Sequence, residues 1–529
     1  MKKLIAILFI SLFITFQLFS QSYNWDWYQT ISSTNLDQGG TIKSIVLDDN
    51  NNIYYTGFTY DTAYTDTNMI DNNGASSAFL VKYDENGNYI WSKTFGGLND
   101  ENAFGIIIDN KNNIFVTGQA IGLVTFDGIV WENLSSCNRA YIVKFDEDGN
   151  YLWHTIPASD NSQGYCLDSD SINNLYFTCT TGMFVDSFET QPLITGNASS
   201  IIAKYDNQNS FEWMRQIRYL FKPQLSHENN YIYLIGCGLL GYDIIYNIDT
   251  IIPDNDYQWF IFKFDESGNL IWYKKTYGYS MSQITSNNNH FYIKGNLKDT
   301  LILPPNDTLI SISVSNGFIA SFDTSGNVEW AHVADGNNSR IPGVDFDSQN
   351  NLWVLCNYRA YLNIGQINLV SGFNPKPLIF QISENGIVNN NNYFEWFAPT
   401  CGMYSEDLKL DSYENFIVNG FFYDCFEAGI FYTISSGNYD LFLTKLSLVT
   451  ENNNLEISNN NISIYPNPTT GVFTIKAEEV ESIEVINIQG KQIYKGKETE
   501  IDLSTQPKGI YIIKVITDKQ TITQKLIKQ

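Results

Sequence analysis

Tyr83-Asp84-Glu85-Asn86-Gly87-Asn88-Tyr89-Ile90-Trp91 returns as Phe145-Asp146-Glu147-Asp148-Gly149-Asn150-Tyr151-Leu152-Trp153, and again as Phe264-Asp265-Glu266-Ser267-Gly268-Asn269-Leu270-Ile271-Trp272. Tryptophans at 27, 91, 153, 213, 272, 330 and 396 carry the unit along the chain, in steps of 64, 62, 60, 59, 58 and 66 residues. A period near sixty with strand-like content marks a closed array of one repeated supersecondary unit.

Each period holds two hairpins. The first is Ala103 to Ile108, a turn Asp109-Asn110-Lys111-Asn112-Asn113, then Ile114 to Gly118. The second is Ala78 to Tyr83, the turn Asp84 to Asn88, then the Trp91 strand. Asp and Asn suit such turns because they tolerate left-handed backbone and bond their own main chain. Gly87 supplies the positive φ of a bulged hairpin loop. Four antiparallel strands repeated around an axis are the pattern of a β-propeller. The expected fold is therefore all-β: a seven-bladed β-propeller over 22–447, then a small C-terminal β-sandwich over 462–529.

The ring needs an ending. Asn24-Trp25-Asp26-Trp27-Tyr28 reads as a lone fourth strand, and Leu441 to Leu446 reads as a third strand with no fourth after it. Pairing 24–30 with 441–446 completes the seventh blade. Closing that loop costs roughly 5 kcal/mol, and burying two blade faces outweighs it. Strand alternation puts the short turns on one rim. The other rim gathers the long connections 119–139, 180–199, 237–258 and 296–316, and a ligand is expected there.

The chain has 529 residues with 15% aromatic and 17% charged, and a formal net charge of −26. Residues 22–461 hold 20 basic and 49 acidic side chains. Such a body repels nucleic acid and anionic membranes. Lys2 and Lys3 precede an apolar run from Leu4 to Phe19, so residues 1–20 read as a signal peptide. No later stretch has 18 apolar residues in a row, which leaves no transmembrane segment in the mature chain. Of seven cysteines, Cys401 and Cys425 flank one hairpin symmetrically and form a candidate disulfide that export permits. Residues 448–461 form an Asn-rich linker.

Chemical motifs are sparse. Gly236-Cys237-Gly238-Leu239-Leu240-Gly241 spells GxGxxG, but the β-like Tyr242 to Tyr246 follows, where a dinucleotide needs a helix N-terminus. Asp146-Glu147-Asp148-Gly149 is the best candidate for Ca2+, although an EF-hand's twelfth-position Glu is missing. His154, His227, His290 and His332 show no metal-ligand spacing, and His154 and His332 are expected to fill gaps between blades. No catalytic, cofactor or metal residue is nominated.

Two resemblances extend this. Tyr465-Pro466-Asn467-Pro468 with Gly471, Ile488-Gln489-Gly490-Lys491, Ile501-Asp502-Leu503 and Pro507-Lys508-Gly509-Ile510-Tyr511 resemble the type A C-terminal sorting domain of the type IX secretion system. The resemblance implies export across an outer membrane and partnership with that machinery. Gly105 to Gly118 and Phe79 to Trp91 resemble bacterial β-propeller repeats, a likeness that supports blades and brings no shared reaction. The functional expectation is a secreted or cell-surface, non-catalytic module that binds glycan or protein. The alternatives are a carbohydrate-active hydrolase or lyase using acids on the long-loop face, and a structural surface or matrix protein.

Overall fold

The computed structural model describes residues 22–449 and 463–528, apart from 34–40, 71–75, 397–401 and stretches of at most four residues elsewhere. The signal-peptide expectation at 1–20 falls outside the described residues, as does 450–461 of the linker expected over 448–461, whereas Leu448 and Val449 belong to the strand Asp440–Val449 and pair with Tyr23 and Ser22. Every regular element among the described residues is a β-strand. The chain divides into two compact units, 1–449 and 450–529.

In the larger unit, Asn102–Ile108, Ile114–Ala120, Arg139–Phe145 and Tyr151–Thr155 pair antiparallel in chain order. The same order recurs in Thr41–Leu47, Ile53–Thr59, Ser77–Tyr83 and Tyr89–Phe95. It recurs from Ser162–Ser169 to Phe211–Arg218, from Phe221–Glu228 to Leu270–Thr276, and from Ser280–Asn287 onward. There the strand Val328–Phe346 runs through, ending one four-strand run and starting the next with Leu352–Ile364, Lys376–Ile382 and Val388–Glu395. The last run joins the two ends of the unit: Gly402–Leu410, Phe416–Tyr423, Asp440–Val449 and then Ser22–Ser33. Pairs extend from Ser22↔Val449 to Ile31↔Leu441, with a bulge between Trp25 and Trp27.

The repeat motif has a local explanation. Asp84 Oδ1 accepts the amides of Asn86 and Asn88 at 2.9 and 2.8 Å, and its Oδ2 accepts Asn88 Nδ2 at 2.8 Å. Asp109, Asp146, Asp265, Asp323 and Asp411 hold their turns in the same way. In five of the fourth-strand turns a glycine then lies under a tryptophan of the preceding sheet, while the turn of the third sheet carries Asn209, left-handed at φ 66°, in that place. Gly87 has φ 77°, and a Cβ there would stand 2.5 Å from the Trp27 ring. Gly149 meets Trp91, Gly268 meets Trp213, Gly326 meets Trp272 and Gly386 meets Trp330 in the same fashion. The indoles also donate to the turns they cover: Trp27 to Glu85 O at 3.3 Å, Trp91 to Glu147 O at 3.3 Å, Trp213 to Glu266 O at 3.1 Å and Trp330 to Glu384 O at 3.0 Å. His332 extends this cover, its Nε2 lying 2.7 Å from Gly386 O. Its ring is partly buried, and the desolvation lowers its basicity.

Trp396 departs from the expected repeat. Gln381, at the third-strand position that Lys82 and Lys263 hold opposite Trp91 and Trp272, pairs with Asn389. Phe380 then pairs with Tyr393 across a bulge, so an Asn-rich insertion occupies the tryptophan position. Trp396 is buried farther along and donates to Glu427 O at 2.7 Å. Its step of 66 residues therefore measures the insertion and not the repeat.

In the smaller unit, Ser463–Tyr465, Val472–Lys476 and Glu500–Asp502 form one sheet. Gln492–Gly496, Val480–Asn487, Gly509–Thr517 and Thr521–Lys528 form a second. Phe473 and Ile475 of the first share a buried cluster with Ile483, Val485, Ile513 and Val515 of the second.

The interlock yields a test. Replacing Gly87 by Ala adds a left-handed penalty of about 1–2 kcal/mol and displaces an indole, for a total of roughly 2–5 kcal/mol. Urea unfolding followed by tryptophan fluorescence should show a clearly lowered midpoint. An unchanged midpoint would mean that Trp27 does not seat on that turn.

Candidate functional site

The first strands of successive sheets lie side by side, and Gly402–Leu410 lies against Thr41–Leu47. Between them is a cavity of about 350 Å³ lined by parts of the first strands, including Ser44, Asp168, Gln224, Gln283, Asp407 and Lys409. Asp168 and Asp407 of the lining, and Asp345 on a neighbouring strand, are bolted to the backbone of the next sheet. Asp168 Oδ2 accepts His227 N at 2.8 Å, Asp345 Oδ2 accepts Leu410 N at 2.7 Å, and Asp407 Oδ2 accepts Ile45 N at 3.3 Å. Burial pushes the Asp168 and Asp345 carboxyls up. Lys409 Nζ lies 3.9 Å from Asp345, and that carboxylate, helped by Asp407 and Asp168, holds the ammonium above its ordinary value. Lys294, also buried, is pushed down to about 8 by desolvation and donates to Pro342 O. The cavity is thus polar and charge-compensated, and Asp168 and Asp407 each also hold two sheets together.

A second cavity, about 310 Å³, opens where the sheet carrying the Asn-rich insertion meets the closing sheet. Tyr23 and Trp353 supply rings, Gln381, Asn389 and Asn392 supply amides, and Asp347 and Glu414 supply carboxylates. Trp353 Nε1 and Gln381 Nε2 both donate to Asp347 Oδ2, at 3.2 and 2.8 Å. Asn389 and Asn392 donate to Gln381 Oε1 at 3.2 and 2.9 Å. This network holds the three amides in place at the cavity wall. Desolvation, then Glu414, raises the Tyr23 phenol, so it stays a neutral donor. Neither cavity is lined by the long connections where a ligand was expected.

On the long-connection side, Glu101 is 1% exposed. Its Oε2 accepts Gly97 N at 2.7 Å, while Oε1 has no hydrogen-bond partner. Burial, against its backbone donors, pushes the carboxyl up to about 7.

The sequence-nominated residues are placed as follows. Tyr465 ends the first strand of the smaller unit and is exposed. Gly471 accepts Leu503 N at 2.9 Å, and a Cβ there would stand 2.4 Å from Ser504 Oγ. Lys508 is exposed, and Gly509 opens the strand Gly509–Thr517. Pro466, Asn467, Pro468 and Gly490 lie outside the described residues. Cys425 is disulfide-bonded, Cys401 lies outside the described residues, and Cys166, Cys179, Cys237 and Cys356 are free thiols. Asp146 spends its oxygens on its own turn, taking Asp148 N, Asn150 N and Asn150 Nδ2 at 3.0, 2.8 and 2.9 Å. The GxGxxG stretch continues into the strand Ile244–Tyr246.

Residues 463–529 match the family of secretion system C-terminal sorting domains. That domain makes this a secreted or cell-surface protein handled by the type IX secretion machinery, and no helix among the described residues is long and apolar enough to cross a membrane. An uncharacterised WD repeat-containing protein of Acanthamoeba polyphaga mimivirus is 24% identical over 183 residues, 29% of this chain. The match spans 13% of that relative's length. Among solved structures, a Dyadobacter fermentans protein of unknown function is 10% identical, with 79% of this chain and 98% of that one covered at a TM-score of 0.34. A gluconolactonase of Xanthomonas campestris is 9% identical, covering 61% and 85% at 0.32. A rhamnogalacturonan lyase of Bacillus licheniformis is 11% identical, covering 95% and 91% at 0.26. Likenesses this loose carry no argument about activity.

Glu101 gives a pH test. Its folded value near 7 lies above the ordinary 4.5, so the folded chain keeps a proton that the unfolded chain releases, and stability falls as pH rises through that window. Glu101→Gln removes the dependence. Its stability relative to the parent should rise by roughly 3 kcal/mol between pH 4.5 and 7. Urea unfolding at pH 5 and pH 8 measures this, and an equal difference at both values contradicts a buried, proton-holding carboxyl.

Proposed function

We propose that residues 22–447 form a seven-bladed β-propeller closed by the N-terminal strand, and that this propeller is a non-catalytic recognition module. A β-sandwich sorting domain over 462–529 delivers it to the outside, and its ligand is a glycan. The blade assignment is supported by the recurring four-strand order and by the last sheet, which takes its fourth strand from Ser22–Ser33. Axial contact between the last and the first sheet supports closure.

The cavity beside the closing sheet carries the ligand reading. Saccharides offer paired hydroxyls and apolar C–H faces. Amides and carboxylates fixed in place bind the hydroxyls as donors and acceptors, and aromatic rings bind the faces. Gln381, Asn389, Asn392 and Glu414 beside Tyr23 and Trp353 provide that set. A second reading, a carbohydrate-active hydrolase or lyase, is favoured by Glu101, a buried carboxyl that titrates near neutrality as a general acid must.

A glycan array probed with the secreted chain should retain a saccharide class. A Gln381→Leu, Asn392→Ala double variant should weaken that binding about tenfold or more, the worth of one or two hydrogen bonds. Equal retention by the double variant would move the ligand elsewhere. Polysaccharide turnover abolished by Glu101→Gln would instead favour the enzyme.

Export has a separate test. A chain lacking 462–529 should accumulate in the periplasm, as fractionation and surface proteolysis would show. Normal surface delivery of the truncation would contradict the sorting role.

A further inference from the structure

The Asp–Tyr–Glu arrangement where two sheets meet is structural in one place and altered in another. Between the first and second sheets, Tyr54 donates to Asp48 Oδ2 at 3.0 Å. Glu147 lies close enough to act on the same phenol electrostatically, and Ile108 packs in the same apolar cluster. Between the third and fourth sheets, Tyr176 and Asp170 take the first two places, 3.4 Å apart, and Glu266 takes the third. The place of Ile108, however, is taken by His227.

His227 stacks on Tyr176 with centroids 4.7 Å apart and planes 13° apart. Its side chain is 8% exposed. Nε2 is buried without a hydrogen-bond partner, and Glu266 Oε1 lies 3.5 Å from it. One ligand atom each from Asp170, His227 and Glu266 all fall within 4.8 Å of one another.

The nearby lysine has also moved aside. Lys144 and Lys445 reach the turn aspartates of their own sheets, Asp109 at 3.8 Å and Asp411 at 2.8 Å. Lys204, at the same third-strand position, pairs with Glu212 at 3.3 Å. Asp170 therefore faces the imidazole.

We propose that Asp170, His227 and Glu266 form a binding site for a divalent transition ion of the Zn2+ or Mn2+ kind. One imidazole nitrogen and two carboxylates suit those ions. An ion among them would satisfy the orphaned Nε2, and the stacked Tyr176 ring already holds the imidazole in plane. Asp170 also accepts Ile172 N at 3.1 Å, Asn174 N at 2.8 Å and Asn174 Nδ2 at 2.7 Å, so it joins the site already oriented. The site lies on the short-turn rim. An ion there would clip the turn of one sheet to two elements of the next.

The test is Zn2+ and Mn2+ titration of the metal-stripped full mature chain, by calorimetry and by metal analysis after dialysis. One equivalent of at least one ion should bind with micromolar or tighter affinity. His227→Gln and Glu266→Gln should each weaken it more than about tenfold, whereas His290→Gln, at a separate His–Glu contact, should not. Glu266 lies in a turn and keeps its backbone bond to Trp213, so that variant should fold even if the histidine variant does not. Absence of stoichiometric binding, or binding unchanged in Glu266→Gln, would overturn the assignment.

Discussion

The larger unit depends on one contact made again and again, an indole of one sheet lying flat on the glycine turn of the next. The turn must be left-handed at that glycine, and no side chain fits beneath the ring. The tryptophan must stand four residues beyond its own glycine to reach it, as Trp91 does from Gly87. Neither residue works without a neighbouring sheet. The contact is therefore specific to the stacked array, and it explains why the two residue types keep step along the chain. Lysines reinforce it: Lys82 Nζ reaches Glu147 O at 3.0 Å and Lys263 Nζ reaches Thr324 O at 2.9 Å. The lysine charge is thereby spent on the carbonyls of a tight turn.

Asn209 replaces the glycine in the turn of the third sheet and keeps its left-handed backbone at φ 66°; the larger departure, at the Asn-rich insertion, follows from the same logic. The last sheet has no turn between its third and fourth strands, because the chain arrives at Val449 and departs from Ser22. The preceding sheet then has nothing to cap. Its tryptophan position is filled by the Asn-rich insertion, its lysine position by Gln381, and Tyr23 of the arriving strand lies on Phe394 and Phe416. The cavity of amides and rings is thus a consequence of how the ends meet. A fully regular array would have filled it with indole.

Much of the fold was legible because the repeat is written in residues with strong local meaning. Asp, Gly, Asn and Trp at fixed offsets dictate a turn and its cover, and period-two alternation dictates the strands. The closing pair was legible by subtraction, since a lone strand at one end and a missing one at the other must meet. Trp396 misled for an instructive reason: a spacing count cannot distinguish a repeat from an insertion that ends in the same residue type. The sites were not legible. Tyr23, Asp347, Gln381 and Glu414 stand far apart in sequence, and so do Asp170, His227 and Glu266. Only the stacking of sheets brings each set together. The one signal available was departure from the repeat, glutamine for lysine at 381 and histidine for an aliphatic residue at 227.

That signal generalises into an argument about where function resides here. A position that obeys the repeat is accounted for by packing alone, and its chemistry is committed. The turn aspartates each already accept at least two donors of their own turns, so an acidic count of 49 in the body says little by itself about catalysis or metals. A position that breaks the repeat without loss of the sheet order is different. It keeps the geometry its neighbours enforce while its own side chain is released from the common task. His227 lies on an inherited tyrosine platform beside an inherited aspartate. Gln381 reaches an inherited aspartate while its carbonyl gathers two new amides. In both places rigidity comes from the repeat and chemistry from the exception, the division of labour a binding site requires.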